Sequence, residues 1–145
     1  MERLKWLMAL LSLCAVAGCV TTPYGAHVED LSDTDSQTIV QDVARQLVQL
    51  YPPASTNFNL KYEVRDGFGR GLVETLRHEG YAIQEHKPSV ASASTPNSGT
   101  SLAYILDRHH ELFRISIMAD DQRLSRAYLR KDNVIHPAGH WVRQQ

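Results

Sequence analysis

From Leu102 to Leu129 the apolar residues fall on every second position. That period demands extended backbone with one face turned to a core. Leu102, Tyr104 and Leu106 alternate first. Leu112 to Met118 then sets Phe113, Ile115 and Ile117 against Leu112, Arg114, Ser116 and Met118, and Arg123 to Leu129 puts Leu124, Arg126 and Tyr128 on one side. Asp107-Arg108-His109-His110 and Ala119-Asp120-Asp121 supply polar turns between these runs. Strands in succession with short turns make an antiparallel meander. One face of it must be covered, and the residues before it have to provide the cover.

Asp33 to Tyr51 reads as an amphipathic helix. Ile39, Val43, Leu47 and Leu50 keep helical spacing, Val40, Ala44 and Val48 widen the stripe, and Gln41, Asp42, Arg45, Gln46 and Gln49 make the polar side. Ser32, Asp33 and Asp35 can cap its start, and Pro52-Pro53 stops it. Asn57 to Val64 alternates as a half-buried strand. Asp66 caps a second helix whose buried face is Phe68, Leu72, Val73 and Leu76; Gly80 ends it, and Tyr81-Ala82-Ile83 starts another strand. Strand, helix and strand in so short a span make a βαβ unit with parallel strands. The expected fold is α+β: a small two-layer domain with two helices on a mixed sheet, part βαβ and part antiparallel meander.

The domain boundaries follow from composition. Residues 87–100 hold Pro, Ser, Thr, Asn and Gly with almost nothing to bury, and read as a flexible loop. Residues 19–31, with Pro, Gly and Thr and little periodicity, read as a tether ahead of a single domain at 32–145. The last residues carry Ile135, Pro137, Gly139, Trp141 and Val142. Pro137 and Gly139 argue for a turn. Trp141, with Arg143 beside it, must dock on the domain or contact a partner.

The first nineteen residues decide where such a domain works. Arg3 and Lys5 precede an apolar run from Trp6 to Val16, and Val16-Ala17-Gly18-Cys19 follows. A basic start, a short apolar segment and small residues before a cut make a secretory signal, here residues 1–18. The run is too short to span a bilayer, which takes about 20 residues. Val16-Ala17-Gly18-Cys19 resembles the lipobox of bacterial lipoproteins, which implies cleavage between Gly18 and Cys19 and lipid on the Cys19 sulfur. The alternative is an ordinary signal peptide with Cys19 incidental. Cys14 would leave with the signal and Cys19 would be acylated, so neither is left for redox or nucleophilic work. By resemblance to sorted lipoproteins, Val20 where an Asp would retain the protein in the inner membrane implies the outer membrane, with the domain facing the periplasm.

The remaining chemistry is sparse. The net charge is −1, and removing Glu2, Arg3 and Lys5 leaves the remainder slightly more acidic, which gives no case for nucleic acid. His136 and His140 are four residues apart, but Pro137 and Gly139 between them disfavour a helical zinc pair. His109-His110 falls in a turn. Gly67-Phe68-Gly69-Arg70-Gly71 lacks both the dinucleotide and the P-loop spacing, so it reads as close packing at a helix start. No cofactor, metal or small-molecule substrate is implied, and no catalytic residue stands out.

Several segments together resemble the TrbH family of conjugal-transfer lipoproteins. They are Pro52-Pro53-Ala54-Ser55-Thr56, Asp66-Gly67-Phe68-Gly69, Leu106-Asp107-Arg108, Leu112-Phe113-Arg114-Ile115-Ser116, Gln122-Arg123-Leu124-Ser125-Arg126-Ala127-Tyr128 and Pro137-Ala138-Gly139-His140-Trp141-Val142-Arg143. The resemblance implies a non-enzymatic, outer-membrane-anchored component of a type IV secretion (mating-pair formation) apparatus. Its partners would be membrane lipid through Cys19 and other channel proteins, without direct contact with nucleic acid. Two alternatives stand beside it: an envelope hydrolase using His136 or His140, and an assembly factor of another secretion machine.

Overall fold

The structure is a computed structural model that describes residues 24–86 and 98–145. The signal peptide, Gly18, Cys19 and most of the expected loop, residues 87–97, lie outside the described residues.

Helix α1 (Asp33–Leu50) starts where Ser32 Oγ accepts from the Asp35 amide at 3.1 Å, with Asp33 and Asp35 in its first turn. Strand β2 (Asn57–Leu60), helix α2 (Gly67–His78) and strand β3 (Ala82–Gln84) form the βαβ unit, with Phe58 paired in parallel to Ile83. The meander is β4 (Thr100–His109), β5 (Leu112–Ala119) and β6 (Gln122–Lys131). Both helices lie on one face of this mixed sheet. The core between the layers holds Ile39, Val43, Leu47, Leu72 and Leu76 from the helices and Phe58, Leu106, Phe113, Ile117 and Tyr128 from the sheet. The α+β expectation holds, including the parallel pair and the meander.

The two flanks of the meander differ from expectation. Strand β2 stops at Leu60 rather than Val64, because a strand absent from the sequence reading takes the place beyond it. That strand, β1 (Gly25–Ala26), pairs in parallel with Ile105 and Leu106 of β4, just past the Leu60–Leu102 pair. Residues 24–31, expected as part of a tether, are therefore docked. Tyr24 stacks on Tyr62 with ring centroids 4.0 Å apart. The His27 amide donates to Leu106 O at 2.7 Å, and Ala26, Val28 and Leu31 pack on the core. Pro, Gly and Thr composition cannot distinguish a loose link from a segment that fills a vacancy in a sheet.

On the other flank the chain end adds two strands, β7 (Val134–Pro137) and β8 (Val142–Gln144), both antiparallel to β6. They run in the same direction along one edge, interrupted by a bulge that includes Pro137's neighbour Ala138 and Gly139. Asp132 and Asn133 turn β6 into β7 with φ of 52° and 59°, the left-handed pair that tight hairpins favour. The first hairpin also turns later than expected. β4 continues through Asp107–His109, and only His110 and Glu111 lie outside the ladder. Thr100 likewise belongs to β4 rather than to the loop.

Candidate interaction surface

Side-chain polarity divides this molecule into a sealed side and an open side. On the sealed side, α1 lies along β6 and two carboxylates meet two guanidinium groups. Asp42 Oδ2 accepts from Arg126 Nη1 at 2.7 Å and from the Tyr128 hydroxyl at 2.6 Å. Asp35 Oδ2 accepts from Arg130 Nη2 at 2.9 Å. Asp42 is 9% exposed and Asp35 4%, so Asp42 does not belong to the helix's solvated stripe. Arg126 and Arg130 are half-buried. The match is one of spacing. Seven helical residues advance about 10.5 Å and four strand residues about 13 Å, so the two pairs stay in register.

This network secures the chain end. Arg126 Nε donates to Gly139 O at 2.9 Å, and its guanidinium lies 5.9 Å from the Trp141 ring centre. Trp141 is half-buried and packs on the core. Of the two readings left open for it, the geometry displays the docked one. Arg143 is exposed on β8. It lies close enough to Tyr51 that its charge opposes the rise that burial gives that phenol.

A second hub joins β1, α2 and β4. Asp66 Oδ1 caps α2 by accepting from the Gly69 amide at 2.7 Å. Its Oδ2 accepts from the Tyr104 hydroxyl at 2.7 Å and from the Ala26 amide at 3.2 Å. The glycine-rich helix start is thus a packing device, as its spacing suggests: Tyr104 crosses directly over Gly69.

Burial, then the hydrogen bond to Asp42, pushes the Tyr128 phenol well above its ordinary range, and burial followed by Asp66 does the same for Tyr104. Burial and the nearby Glu79 charge push Tyr81 up to about 12. The fold therefore holds these protons more tightly than the unfolded chain. Their stabilisation is complete below the unfolded value of about 10 and is lost as pH rises through the folded values. Urea midpoints should fall steadily above about pH 10, and Tyr128→Phe should flatten that fall. A midpoint unchanged on the alkaline side would contradict the assignment.

The open side is the other face of the sheet, which neither helix covers. The exposed large hydrophobics among the described residues are Leu112, Leu129, Val134 and Val142. Cross-strand register places all of them on this face: Leu112 opposite Leu129, Val134 opposite Lys131, and Val142 opposite Ser125. Arg114 shares the face with Asp107, bound at 2.6 Å, while Arg123, Lys131 and His136 stand exposed there. Scattered exposed leucines and valines are ordinary, but their gathering on one face makes it the candidate contact surface. Strict alternation carries this signal, since Leu112, Arg114 and Met118 already fall opposite the core positions. Val134 and Val142 could be added only once β7 and β8 were known.

His136 projects from β7 on this face and His140 is exposed in the bulge. Among the described residues no group of three or more His, Cys, Asp or Glu is placed to hold a metal. A groove of about 630 Å³ beside α2 is lined by Val64, Arg70, Val73, Glu74, Arg77, His78 and Glu85. Arg77 and Glu85 in it pair with each other at 2.6 Å.

A family model described as conjugal transfer protein TrbH matches residues 21–145. Comparison with curated proteins and with solved structures gave no match.

Proposed function

Because the chain belongs to the TrbH family of conjugal transfer proteins, we propose that it is a lipid-anchored structural component of the secretion apparatus that carries out the transfer. Acyl chains on Cys19 hold it in the inner leaflet of the outer membrane, with the domain in the periplasm. It acts by contact, through the open sheet face and the adjoining C-terminal strands with Arg143, on other proteins of the type IV secretion channel. The observation that carries this reading is the gathering of Leu112, Leu129, Val134 and Val142 on the one sheet face that the described residues leave uncovered. On the sealed side, the carboxylates and guanidiniums are occupied in holding the fold, which supports a scaffold role rather than catalysis.

The anchor is tested by Cys19→Ser. Each acyl CH₂ buried contributes about 0.8 kcal/mol, and stable anchoring takes more than one chain. The variant should lose metabolic labelling by fatty acid and leave the membrane fraction. Labelling that persists in Cys19→Ser would exclude Cys19 as the anchor.

A further inference from the structure

We infer that the domain is held close against the bilayer, edge-on, by a leash too short to let it stand away, with its Tyr24–Tyr62 end among the lipid headgroups. The inference rests on acylation of Cys19 and goes beyond it by specifying which end of the fold meets lipid. The docking of residues 24–31 is what shortens the leash. Gly25 and Ala26 are paired into the sheet, the Ala26 amide is bound by Asp66, and Tyr24 is stacked on Tyr62. Only residues 20–23 separate Cys19 from Tyr24. From the one Cα to the other is at most about 18 Å of extended chain, and the headgroup layer takes up about 5–8 Å of it. A domain of about 100 residues has a radius of gyration of about 13 Å, so it is more than about 26 Å across. The remaining leash is shorter than the domain is wide, and the domain can neither turn over nor withdraw.

The end held at the membrane suits it. Tyr24 and Tyr62 are both half-buried rings with polar tips, the residue type that settles at membrane interfaces. Lys61 and Arg65 are exposed on the same connection. The far edge is the one that carries Trp141. From β1 through β4, β5 and β6 to β8 is four ladder steps, about 19 Å at the usual strand spacing. The anchored edge and the C-terminal edge are therefore opposite sides of one sheet, and the C-terminal edge faces away from the lipid.

Fluorescence in vesicles tests this with the full acylated protein. After signal removal Trp141 is the sole tryptophan and reports the far edge. Tyr62→Trp in a Trp141→Phe background reports the near edge. Nitroxide lipids labelled at the headgroup should quench the tryptophan at position 62 several-fold more than Trp141. Inserting twelve Gly/Ser residues after Val20 should remove the difference. Trypsin cleavage at Lys61 and Arg65 in the otherwise native protein is a second readout, slow in vesicles and restored by the insertion. Equal quenching at both positions and unprotected Lys61 and Arg65, with mass spectrometry showing lipid on Cys19, would overturn the short leash alone. Absence of lipid from Cys19 would overturn the anchor and the leash together.

Discussion

Asp42→Ala should cost about 3–5 kcal/mol of folding stability, a large part of the roughly 5–15 kcal/mol that holds a domain together. Asp42 is 9% exposed, and its carboxylate accepts from both Arg126 and Tyr128. Removing it leaves a half-buried guanidinium without its counter-charge and a fully buried phenol without its acceptor. The loss should spread to the chain end, because the same Arg126 holds Gly139 and lies over Trp141. Hydrogen exchange at β8 should therefore accelerate more than at β5. Asp42→Leu combined with Arg126→Met and Tyr128→Phe removes both charges and the orphaned hydroxyl and should recover much of the loss. By contrast, Glu63→Ala breaks the exposed pair with Arg65 and should change stability by less than about 1 kcal/mol. Urea denaturation checks all of these, and an Asp42→Ala cost below about 1 kcal/mol would mean that the buried cluster contributes no more than a surface pair.

Gly69→Ala should be nearly as damaging, although alanine is the better helix former. A Cβ at Gly69 would lie 1.9 Å from the Tyr104 hydroxyl oxygen and 2.7 Å from Val64 Cγ1. Tyr104 cannot retreat without releasing Asp66, which also caps α2 and holds Ala26. Overpacking costs about 1–3 kcal/mol and an orphaned buried polar group a further 1–3 or so, giving about 2–6 kcal/mol in all. Tyr104→Phe removes the nearest clashing atom, so the double variant should be more stable than the sum of the single effects. Gly71→Ala is the control: its nearest neighbour is Val40 Cγ2 at 3.8 Å, and there alanine should stabilise α2 by up to about 1 kcal/mol. Equal effects at the two glycines in thermal melts would contradict the packing account.

The parts of the fold legible in the sequence are those governed by local period. Ile39, Val43 and Leu47 repeat at helical spacing and are buried. Phe113, Ile115 and Ile117 alternate and form the centre of the sheet's covered face. Ser32 and Asp66 cap the two helices as their residue types suggest. What was not legible depends on partners distant in the chain. Two-residue β1 is too short to show a period, and it is a strand only because β4 extends beyond β2. The bulge at Gly139 breaks the alternation that would otherwise join β7 to β8. Asp42 reads as solvated from its neighbours on the helix, and only Arg126 and Tyr128, more than eighty residues away, bury it. Asp132-Asn133 is a local signal of the same kind as the caps, a turn pair that announces the hairpin into β7.

The proposed contact surface is open to direct measurement in cells. Photocrosslinking residues placed at Leu129 and Val142 report the open face; the same residue at Gln49 and Glu74 reports the exposed outer side of the helices. In cells assembling the transfer apparatus, positions 129 and 142 should give adducts with its other proteins, and positions 49 and 74 should not. Adducts confined to the helix side, or none from either open-face position while transfer proceeds normally, would contradict the claim that the uncovered face of the sheet is where this protein meets its machine.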